Sequence, residues 1–480
     1  MTRLSALDAS FLRIESPTAH MHVGWLSHLT LPEGERQLNV ERLARTLTAR
    51  LHRVPRFRQR IVSAPLDLGE PAWVDDPDFG LARHVYIVTD GPVDRSVLGD
   101  LTDEFLSRPL PRDRPLWQLL VVPSLMPGGA ALVGKVHHAM CDGIAAVELG
   151  MLLFDGEAEP PSEEIVPWEA QAPASPLRSA IQTVGSTAVE GARTAGQIAR
   201  LATAPREGLK AAESGGRAAL SLAGDVLRAA PASYLNRQLT SARTLRTQRL
   251  ALADLESVKR AQGVKLNDVV LAVVAGALHK LALSRGDAPQ DLRVMVPVST
   301  RAPGSDSGGN RITFCFTTLP VSVPEPLDRL RLIRGSTLAI KRSGEIAGTE
   351  MVLRSLGQLP VALRAHAARL AASPRLFNLT ASNVPGPPVP LYAGGARVST
   401  VFPVIPLADG HALAVGALSY DGGMHFAAHA DPVVLPEAGR LPALLSTALL
   451  DLIEASRARR HGGPGRHRRR SRAATHALSR

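Results

Sequence analysis

The stretch from Ala130 to Gly143 reads AALVGKVHHAMCDG, and it predicts how the chain around it folds. Its short apolar run is typical of a buried β-strand, which ends at the pair His137 and His138. The turn sequence Asp142-Gly143 follows, and apolar residues then return at helical spacing over residues 144–151. The two histidines are therefore predicted where a strand passes into a helix, with the backbone fixed on both sides.

An imidazole at this place can act as a general base. Its ordinary pKa of about 6.5 lets the neutral ring take a proton from an alcohol near neutral pH and return it to a leaving group. Asp142, four residues after His138, is placed to orient the ring, cap the next helix or pair with an arginine. Gly143 suits a close approach that a side chain would block. A hydrogen-bonded structural pair of histidines is the alternative.

The same stretch does not predict a metal centre or a nucleophilic thiol. Adjacent residues of a strand point to opposite sides, and neither a His-Glu-x-x-His pattern nor a pair of cysteines is present. Cys141 is a lone cysteine, which is usually a small buried apolar residue. His20 and His22 share one side of another predicted strand, where core or surface histidines are expected. We predict no metal.

Composition predicts a large globular chain without a disulfide framework. The 480 residues are 45% hydrophobic and 21% charged, enough for an extensive core and two domains. The two cysteines, Cys141 and Cys315, lie far apart in sequence, which favours a reducing compartment. Charged residues within the first fifteen positions leave no room for the apolar segment of a signal peptide, and no apolar run reaches about 18 residues. We therefore expect a cytoplasmic protein that is not an integral membrane protein.

The basic charge belongs to one end of the chain. The formal charge is +11, and the segment from Arg457 onward holds nine arginines and no acidic residue, which leaves about +2 on the rest. Such a tail is able to bind an anionic lipid surface or nucleic acid, or to remain solvated without a partner. We expect peripheral contact with a membrane or lipid droplet, and no nucleic acid.

The histidine segment resembles a known signature. His137 to Gly143 matches the HHxxxDG motif of CoA-dependent acyltransferases and of peptide-synthetase condensation domains. Further segments, in the same order along the chain, resemble the bacterial wax ester synthase/diacylglycerol acyltransferase family. They are Leu4-Ser5-Ala6-Leu7-Asp8, Pro115-Leu116-Trp117, Leu266-Asn267-Asp268-Val269-Val270, Val296-Pro297-Val298-Ser299-Thr300-Arg301 with Gly309-Asn310-Arg311, and Ser382-Asn383-Val384-Pro385-Gly386-Pro387. The resemblance extends from residue 1 to about residue 455.

The resemblance implies an α/β fold with two chloramphenicol-acetyltransferase-like sandwich lobes and an active-site tunnel between them. Residues 1–155 would form the first lobe and residues 234–456 the second. Residues 156–233 would be a linker and helical crossover, and residues 457–480 a disordered basic tail. The hydrophobic pattern by itself predicts mixed α/β structure in two lobes. For the Ala-rich part of residues 156–233, the alternative to a packed crossover is an amphipathic surface that binds a membrane or lipid droplet.

The resemblance also implies a reaction, the transfer of a long-chain acyl group from acyl-CoA to diacylglycerol or a fatty alcohol. His138 would be the catalytic base, and no cofactor beyond the co-substrate acyl-CoA is expected. His137, Asp142 and Gly143 would support the motif, with Arg301 as a possible partner of Asp142. The expected substrate-positioning residues are Asn267, Trp117, Ser382 and Asn383, of which Trp117 is expected to shape the site from behind.

Two alternatives stay open at this point. One is an acyltransferase of the same fold that acts on another lipid or polyketide alcohol, with acyl carrier protein as the donor. The other is a homologue that binds lipid without turnover.

The remaining pattern predicts further strands and helices. Strands are expected at 20–25, 81–88, 292–298, 311–323, 376–383, 398–404, 413–420 and 424–430, and a hairpin is expected between 119–122 and the histidine strand. Helices are expected at 39–51, 251–263, 269–283 with Asn267 or Asp268 as N-cap, 326–342, 351–370 and 441–457. The basic segment 53–60 is expected at a charged strand edge or beside CoA phosphates.

Overall fold

Two six-stranded mixed sheets dominate the fold. The structure is a computed structural model that describes residues 2–63, 70–140, 150, 152–171, 229–299, 312–343, 366 and 368–461. A third sheet, of three short strands, holds the beginning of the chain. Its strands, in order, are β1 (Thr2–Arg3), β4 (Ala72–Asp75) and β3 (Gln59–Val62).

The first large sheet is built around the histidine strand. This strand, β7, spans Ala130–His137, and all eight of its residues are buried. It pairs antiparallel with its predecessor, which confirms the predicted hairpin. The strands of this sheet, in order, are β12 (Tyr392–Ala393), β13 (Ala396–Val404), β2 (His22–Thr30), β7, β6 (Trp117–Val122) and β5 (Val85–Ile87).

The second large sheet comes wholly from the later part of the chain. It combines antiparallel pairs at both ends with parallel pairing of its third strand to both neighbours. Its strands, in order, are β10 (Ile312–Leu319), β9 (Leu292–Ser299), β11 (Leu379–Pro385), β14 (Leu413–Tyr420), β15 (Gly423–Ala430) and β8 (Thr244–Ala251).

A strand from the later part of the chain completes the first sheet. β13 pairs antiparallel with β2, from Arg397 opposite Thr30 to Val404 opposite Gly24. The sequence correctly predicts a strand here, but periodicity does not identify the partner strand. The lobe boundaries at residues 155 and 234 stay a prediction, to which the structure adds this crossing of β12 and β13 into the first sheet.

Helices cover the outer sides of the sheets, and their ends follow local sequence signals. Asn39 caps the helix Val40–Arg50 by accepting the Arg42 N–H at 2.8 Å, and the helix Leu252–Gln262 ends at Gly263, whose positive φ favours glycine. The helices described are α1 (Ala6–Ile14), α2 (Val40–Arg50), α3 (Arg95–Ser107), α4 (Leu252–Gln262), α5 (Leu266–Arg285), α6 (Pro326–Ser343) and α7 (Leu441–His461).

Three apolar clusters hold these layers together. One lies between the second sheet and α4 to α7, and another between the first sheet and α1 and α2. The third lies between the two sheets, where Leu26 and Val133 of the first sheet pack with Leu245 and Ala427 of the second. The two sheets therefore share a buried interface, to which α3 also contributes Phe105.

α5 is the most apolar of the helices that pack against the second sheet. Among the described residues it is the one helix whose length and composition would allow it to cross a membrane, and 72% of its apolar window is buried inside the protein. It packs against α6 and α7, so its hydrophobicity is that of a core helix.

Several predicted boundaries need correction. α5 begins at Leu266 with Lys265 at the N-cap, so neither Asn267 nor Asp268 is the N-cap. Asp268 instead accepts the Lys265 N–H at 3.0 Å from inside the first turn. The strand predicted at 81–88 is limited to β5 because Leu81–Arg83 form a 3-10 turn, and most of the basic segment also forms 3-10 turns before β3 begins at Gln59. α7 continues to His461, into the segment assigned to the tail.

Other predictions fall outside the described residues. They concern the helical crossover after residue 171, the helix that follows Gly143, most of the helix predicted at 351–370 and the tail beyond His461.

Candidate active site

The histidine pair lies where β7 gives way to a 3-10 turn, His138–Met140. The His137 N–H donates to the Leu116 carbonyl at 2.9 Å, and the His138 N–H donates to the Met21 carbonyl at 2.9 Å. Both backbone groups are thus fixed by neighbouring strands of the first sheet. The sequence predicts the strand end correctly.

The imidazole of His138 stacks on an aromatic ring. Phe11 of α1 lies parallel to it, with 3.7 Å between ring centroids and 13° between planes. His138 is partly exposed, whereas the residues on either side of it are buried. Burial, together with the nearby His137, lowers the pKa of the His138 imidazole to about 4. The ring is therefore neutral at neutral pH.

One nitrogen of the His138 imidazole is enclosed by the protein. Its Nδ1 is buried and has no hydrogen-bond partner in another described residue. A proton on Nδ1 would place the lone pair on Nε2, the nitrogen that would then accept a proton from a substrate.

His137 has the opposite arrangement. Its side chain is completely buried, and its Nδ1 accepts the Ala139 N–H at 3.0 Å, which leaves the proton on Nε2. That Nε2 lies 3.6 Å from a carboxylate oxygen of Glu15, which also pairs with Arg112. Burial lowers the pKa of the His137 imidazole well below its usual range, and the Arg112 charge adds to this. His137 is a neutral residue without access to a substrate, as its predicted supporting role requires.

Other imidazoles line the buried space between the sheets. His22 lies opposite His137 in the β2–β7 register, and the rings of His20 and His22 are 5.3 Å apart. His429 of the second sheet donates through Nδ1 to the Ile405 carbonyl at 2.7 Å. Burial lowers the pKa of all three, and the charges of Lys135 and Arg243 act in the same direction. In the part of the chain that the structure describes, no group of three or more His, Cys, Asp or Glu side chains is arranged to hold a metal ion.

Trp117 lies in the core beside the histidine strand. Its side chain is fully buried, its Nε1 donates to the Phe57 carbonyl at 2.9 Å, and its ring stacks on His84 with centroids 4.5 Å apart. It lies opposite Val136, next to the histidine pair. Its part in positioning a substrate, by shaping the site from behind, stays a prediction.

Ser382 and Asn383 project to opposite sides of β11. Asn383 lies on the same side of β11 as Leu379 and Ala381, which pack in the core between the second sheet and its helices. Ser382 lies opposite Gly416, where an added Cβ would be 2.9 Å from Pro403 of the first sheet. Of the two predicted residues, Ser382 is thus the one on the side turned to the first sheet.

The remaining predicted residues divide into two groups. Asn267 lies partly exposed in the first turn of α5, next to the buried Asp268. Asp142, Gly143, Arg301 and also Cys141 lie outside the described residues, so their placement at the site stays a prediction.

Sequence reasoning missed Phe11, Glu15 and Arg112. The nearest signal in the sequence is the segment Leu4-Ser5-Ala6-Leu7-Asp8 at the start of α1. It contributes to the family resemblance, but the resemblance assigns no function to its residues.

Comparison with known families identifies the chain. The profile described as wax ester synthase/diacylglycerol acyltransferase catalytic domain matches residues 4–270, and the WS/DGAT C-terminal domain matches residues 308–452. The chain belongs to the WS/DGAT family. It is therefore an enzyme, an acyltransferase, and the predicted family is confirmed.

WS/DGAT relatives match along nearly the whole chain. The probable diacylglycerol O-acyltransferase tgs1 of Mycobacterium tuberculosis is 34% identical over 468 residues, 96% of this chain and 97% of the relative. The probable diacylglycerol O-acyltransferase tgs2 of the same species is 33% identical over 457 residues, 93% and 98% of the two chains.

Solved structures support the fold. The wax ester synthase/diacylglycerol acyltransferase from Marinobacter aquaeolei VT8 matches with a TM-score of 0.67 at 24% identity, covering 95% of this chain and all of the other. The first condensation domain of the CDA synthetase matches with a TM-score of 0.54 at 16% identity, covering 95% of each chain. The predicted α/β fold class, with two chloramphenicol-acetyltransferase-like lobes, is confirmed.

Proposed function

We propose that this WS/DGAT enzyme transfers a long-chain acyl group from acyl-CoA to a lipid alcohol. The product would be triacylglycerol from diacylglycerol, wax ester from a fatty alcohol, or both. The observation that supports this most is the neutral, partly exposed imidazole of His138 at the end of β7, in which Nε2 would accept the proton. The relatives named as diacylglycerol O-acyltransferases support the choice of acceptor.

The reaction needs one proton acceptor that later becomes a donor. Nε2 of His138 takes the hydroxyl proton, and the alcohol oxygen forms a bond to the thioester carbonyl carbon. The carbon–sulfur bond then breaks, and the imidazolium returns its proton to the CoA thiolate. Because the strongly depressed pKa of His138 makes the imidazolium a good acid, the return of the proton is favoured. No acyl-enzyme forms.

Other residues would position the reacting groups. Ser382 and Asn267 are proposed to line the second lobe's side of the site, where Asn267 would help to stabilise the developing oxyanion. Asp142 is proposed to hold the loop after the histidines, paired with Arg301. Beyond acyl-CoA itself, we propose no cofactor.

An acceptor panel tests the reaction. The purified full chain is given palmitoyl-CoA with diolein, hexadecanol or a hydroxylated polyketide, and free CoA and lipid products are measured. We expect CoA release together with palmitoyl-dioleoylglycerol from diolein or hexadecyl palmitate from hexadecanol. Lipid binding without CoA release would instead indicate a non-catalytic homologue, and transfer only from acyl carrier protein would indicate a different donor.

We also propose a cytoplasmic enzyme that contacts membranes or lipid droplets through its basic tail. Since α7 ends at His461, removal of residues 462–480 takes away six arginines without shortening the described helix. Each basic residue near an anionic surface contributes about 1 kcal/mol. The truncated chain should lose binding to phosphatidylserine vesicles while it keeps its turnover of soluble substrates. Equal vesicle binding by both chains would contradict this role.

A further inference from the structure

The segment Leu4-Ser5-Ala6-Leu7-Asp8, the first of those that resemble the family, forms the N-terminal cap of α1. Ser5 is the N-cap of α1, where its Oγ accepts the Asp8 N–H at 3.0 Å and donates to the Asp8 carboxylate at 2.6 Å. Just before it, the Leu4 N–H donates to the Pro71 carbonyl at 2.9 Å. Such a reciprocal cap fixes where the helix begins and its direction. The position of every later residue of α1 depends on this start.

One side of α1 contacts both histidines of the pair. Phe11 and Glu15 are four residues apart, so they lie one turn apart on the same side. Phe11 stacks on His138, and Glu15 lies beside Nε2 of His137. Glu15 ends the helix, with its N–H donating to the Phe11 carbonyl at 3.2 Å. The helix thus meets the two rings with two different side chains.

The stack on His138 restrains the ring that the proposed reaction uses. Nδ1 of His138 has no hydrogen-bond partner in another described residue, so no second side chain in that part of the protein orients the imidazole through this atom. Rotation about the Cβ–ring bond is opposed by the parallel aromatic ring at 3.7 Å. Phe11 itself is only 8% exposed and is held in the core of the first lobe, so it is a rigid support.

We propose that Phe11 is a positioning residue for acyl transfer, which holds the imidazole of His138 flat so that Nε2 faces the substrate alcohol. The capped helix α1 is the rigid element through which it acts. This inference rests on the proposed function, since it assumes that His138 is the base. It gives α1 a role in the reaction, although this helix lies outside the histidine motif of residues 137–143.

The main test removes the flat ring and keeps the apolar volume. Phe11→Leu and Phe11→Met should lower kcat for CoA release by about ten- to a hundredfold with little change in KM, because a loosely held base spends less time aligned with the hydroxyl. Phe11→Tyr keeps the stack and should retain most of kcat. Leu12→Ala, an apolar change at the next position of the same helix, where the side chain packs partly buried against the same core, is the matched control for lost stability.

A pH profile separates positioning from simple destabilisation. Burial lowers the pKa of His138 to about 4, so the acid limb of kcat should lie near pH 4 in the parent enzyme. Phe11→Ala exposes the ring to water and should move this limb upward, toward the ordinary imidazole value of about 6.5. Leu12→Ala should leave it in place. The neighbouring ionisable groups Glu15, Arg112 and His137 are unchanged in every variant.

Two results are decisive. Wild-type kcat and an unmoved acid limb in folded Phe11→Leu and Phe11→Ala would overturn the positioning role. If His138→Ala also kept its activity, the proposed function would fail as well, whereas a dead His138→Ala enzyme would confine the failure to Phe11.

Discussion

At the residue scale, two adjacent histidines acquire different chemistry from their contacts. His137 accepts the Ala139 N–H through Nδ1, and its buried Nε2 lies 3.6 Å from a carboxylate oxygen of Glu15. His138 has one side covered by Phe11 and is partly exposed. Only His138 has a nitrogen available to a substrate. The pair is therefore one supporting residue and one candidate base.

The proposed direct attack makes a specific prediction for Cys141, the cysteine next to the histidine turn. Because the alcohol oxygen attacks the thioester itself, no protein thiol takes part, and Cys141→Ala should retain most of the transfer rate. Intact-protein mass spectrometry after mixing with palmitoyl-CoA should show no added acyl mass. A dead Cys141→Ala enzyme, with an acyl group trapped on the parent chain, would contradict direct attack.

The sequence predicts the histidine pair but not its immediate surroundings. A strand end followed by a turn is encoded within a few residues, so His137 and His138 can be placed by local pattern. Phe11 reaches His138 from a helix more than a hundred residues earlier, and such a contact has no local signal. The burial that lowers the pKa of His138 is likewise a property of packing rather than of the motif.

At the element scale, β2 has no room for a side chain at Gly24, where it pairs with β7. A Cβ added to Gly24 would lie 2.1 Å from the carbonyl oxygen of Gly134, an impossible distance without movement of the backbone. Glycine is thus required at this position for reasons of space, since its φ is not among the positive values. The pairing that fixes the histidine strand depends on it.

We expect Gly24→Ala to destabilise the protein by about 1–3 kcal/mol or more, the usual effect of overpacking. Gly99→Ala in α3 is the matched control, because its Cβ would meet nothing within 4 Å and the change should stabilise the helix by about 0.5–1 kcal/mol. Urea unfolding of the two variants measures both effects. Equal stability of Gly24→Ala and the parent chain would show that the two strands are not held at this distance.

Elements differ in how well the sequence predicts them. β14 and α4 are bounded by their own turn and glycine signals, so their positions match the pattern closely. The destination of β13 does not follow from its own residues, because an alternating strand fits equally well into either sheet. The start of α5 was misplaced because Asp268 caps the helix from its first turn rather than from the N-cap.

At the scale of the whole molecule, the two sheets meet through a buried interface that contains imidazoles as well as apolar side chains. Aliphatic residues and Phe402 fill its centre. α3 is hydrogen-bonded to the second sheet, since Asp103 accepts from the Thr244 hydroxyl at 2.7 Å and from the Leu245 N–H at 2.8 Å. Neutral histidines in such a place are stable only while they stay unprotonated.

This arrangement predicts loss of stability in mild acid. Burial lowers the pKa of nine described histidines, so between about pH 6.5 and pH 4 the unfolded chain binds protons that the folded chain does not. The free energy of unfolding must then fall as the pH falls, by up to about 1.4 kcal/mol per pH unit for each histidine. Tm should drop clearly between pH 7.5 and pH 5.5, a window above the range of ordinary carboxylates. The nine are His20, His22, His28, His84, His137, His138, His411, His425 and His429.

A Tm that stays constant or rises as the pH is lowered from 7.5 to 5.5 would show that these histidines are hydrated in the folded protein. A double change of His22 and His429 to Gln removes two of the titrating groups, and the drop in Tm should then become smaller.

The most direct test of the account is the rate of CoA release by His138→Ala, with palmitoyl-CoA and the preferred acceptor and with folding checked by Tm. His52→Ala, which removes an exposed imidazole from the same lobe, is the control. We predict a loss of at least about 10²-fold for His138→Ala, the lower end of a general-base effect, and no loss for His52→Ala. Transfer at the parental rate by folded His138→Ala would contradict the assignment of this imidazole as the base.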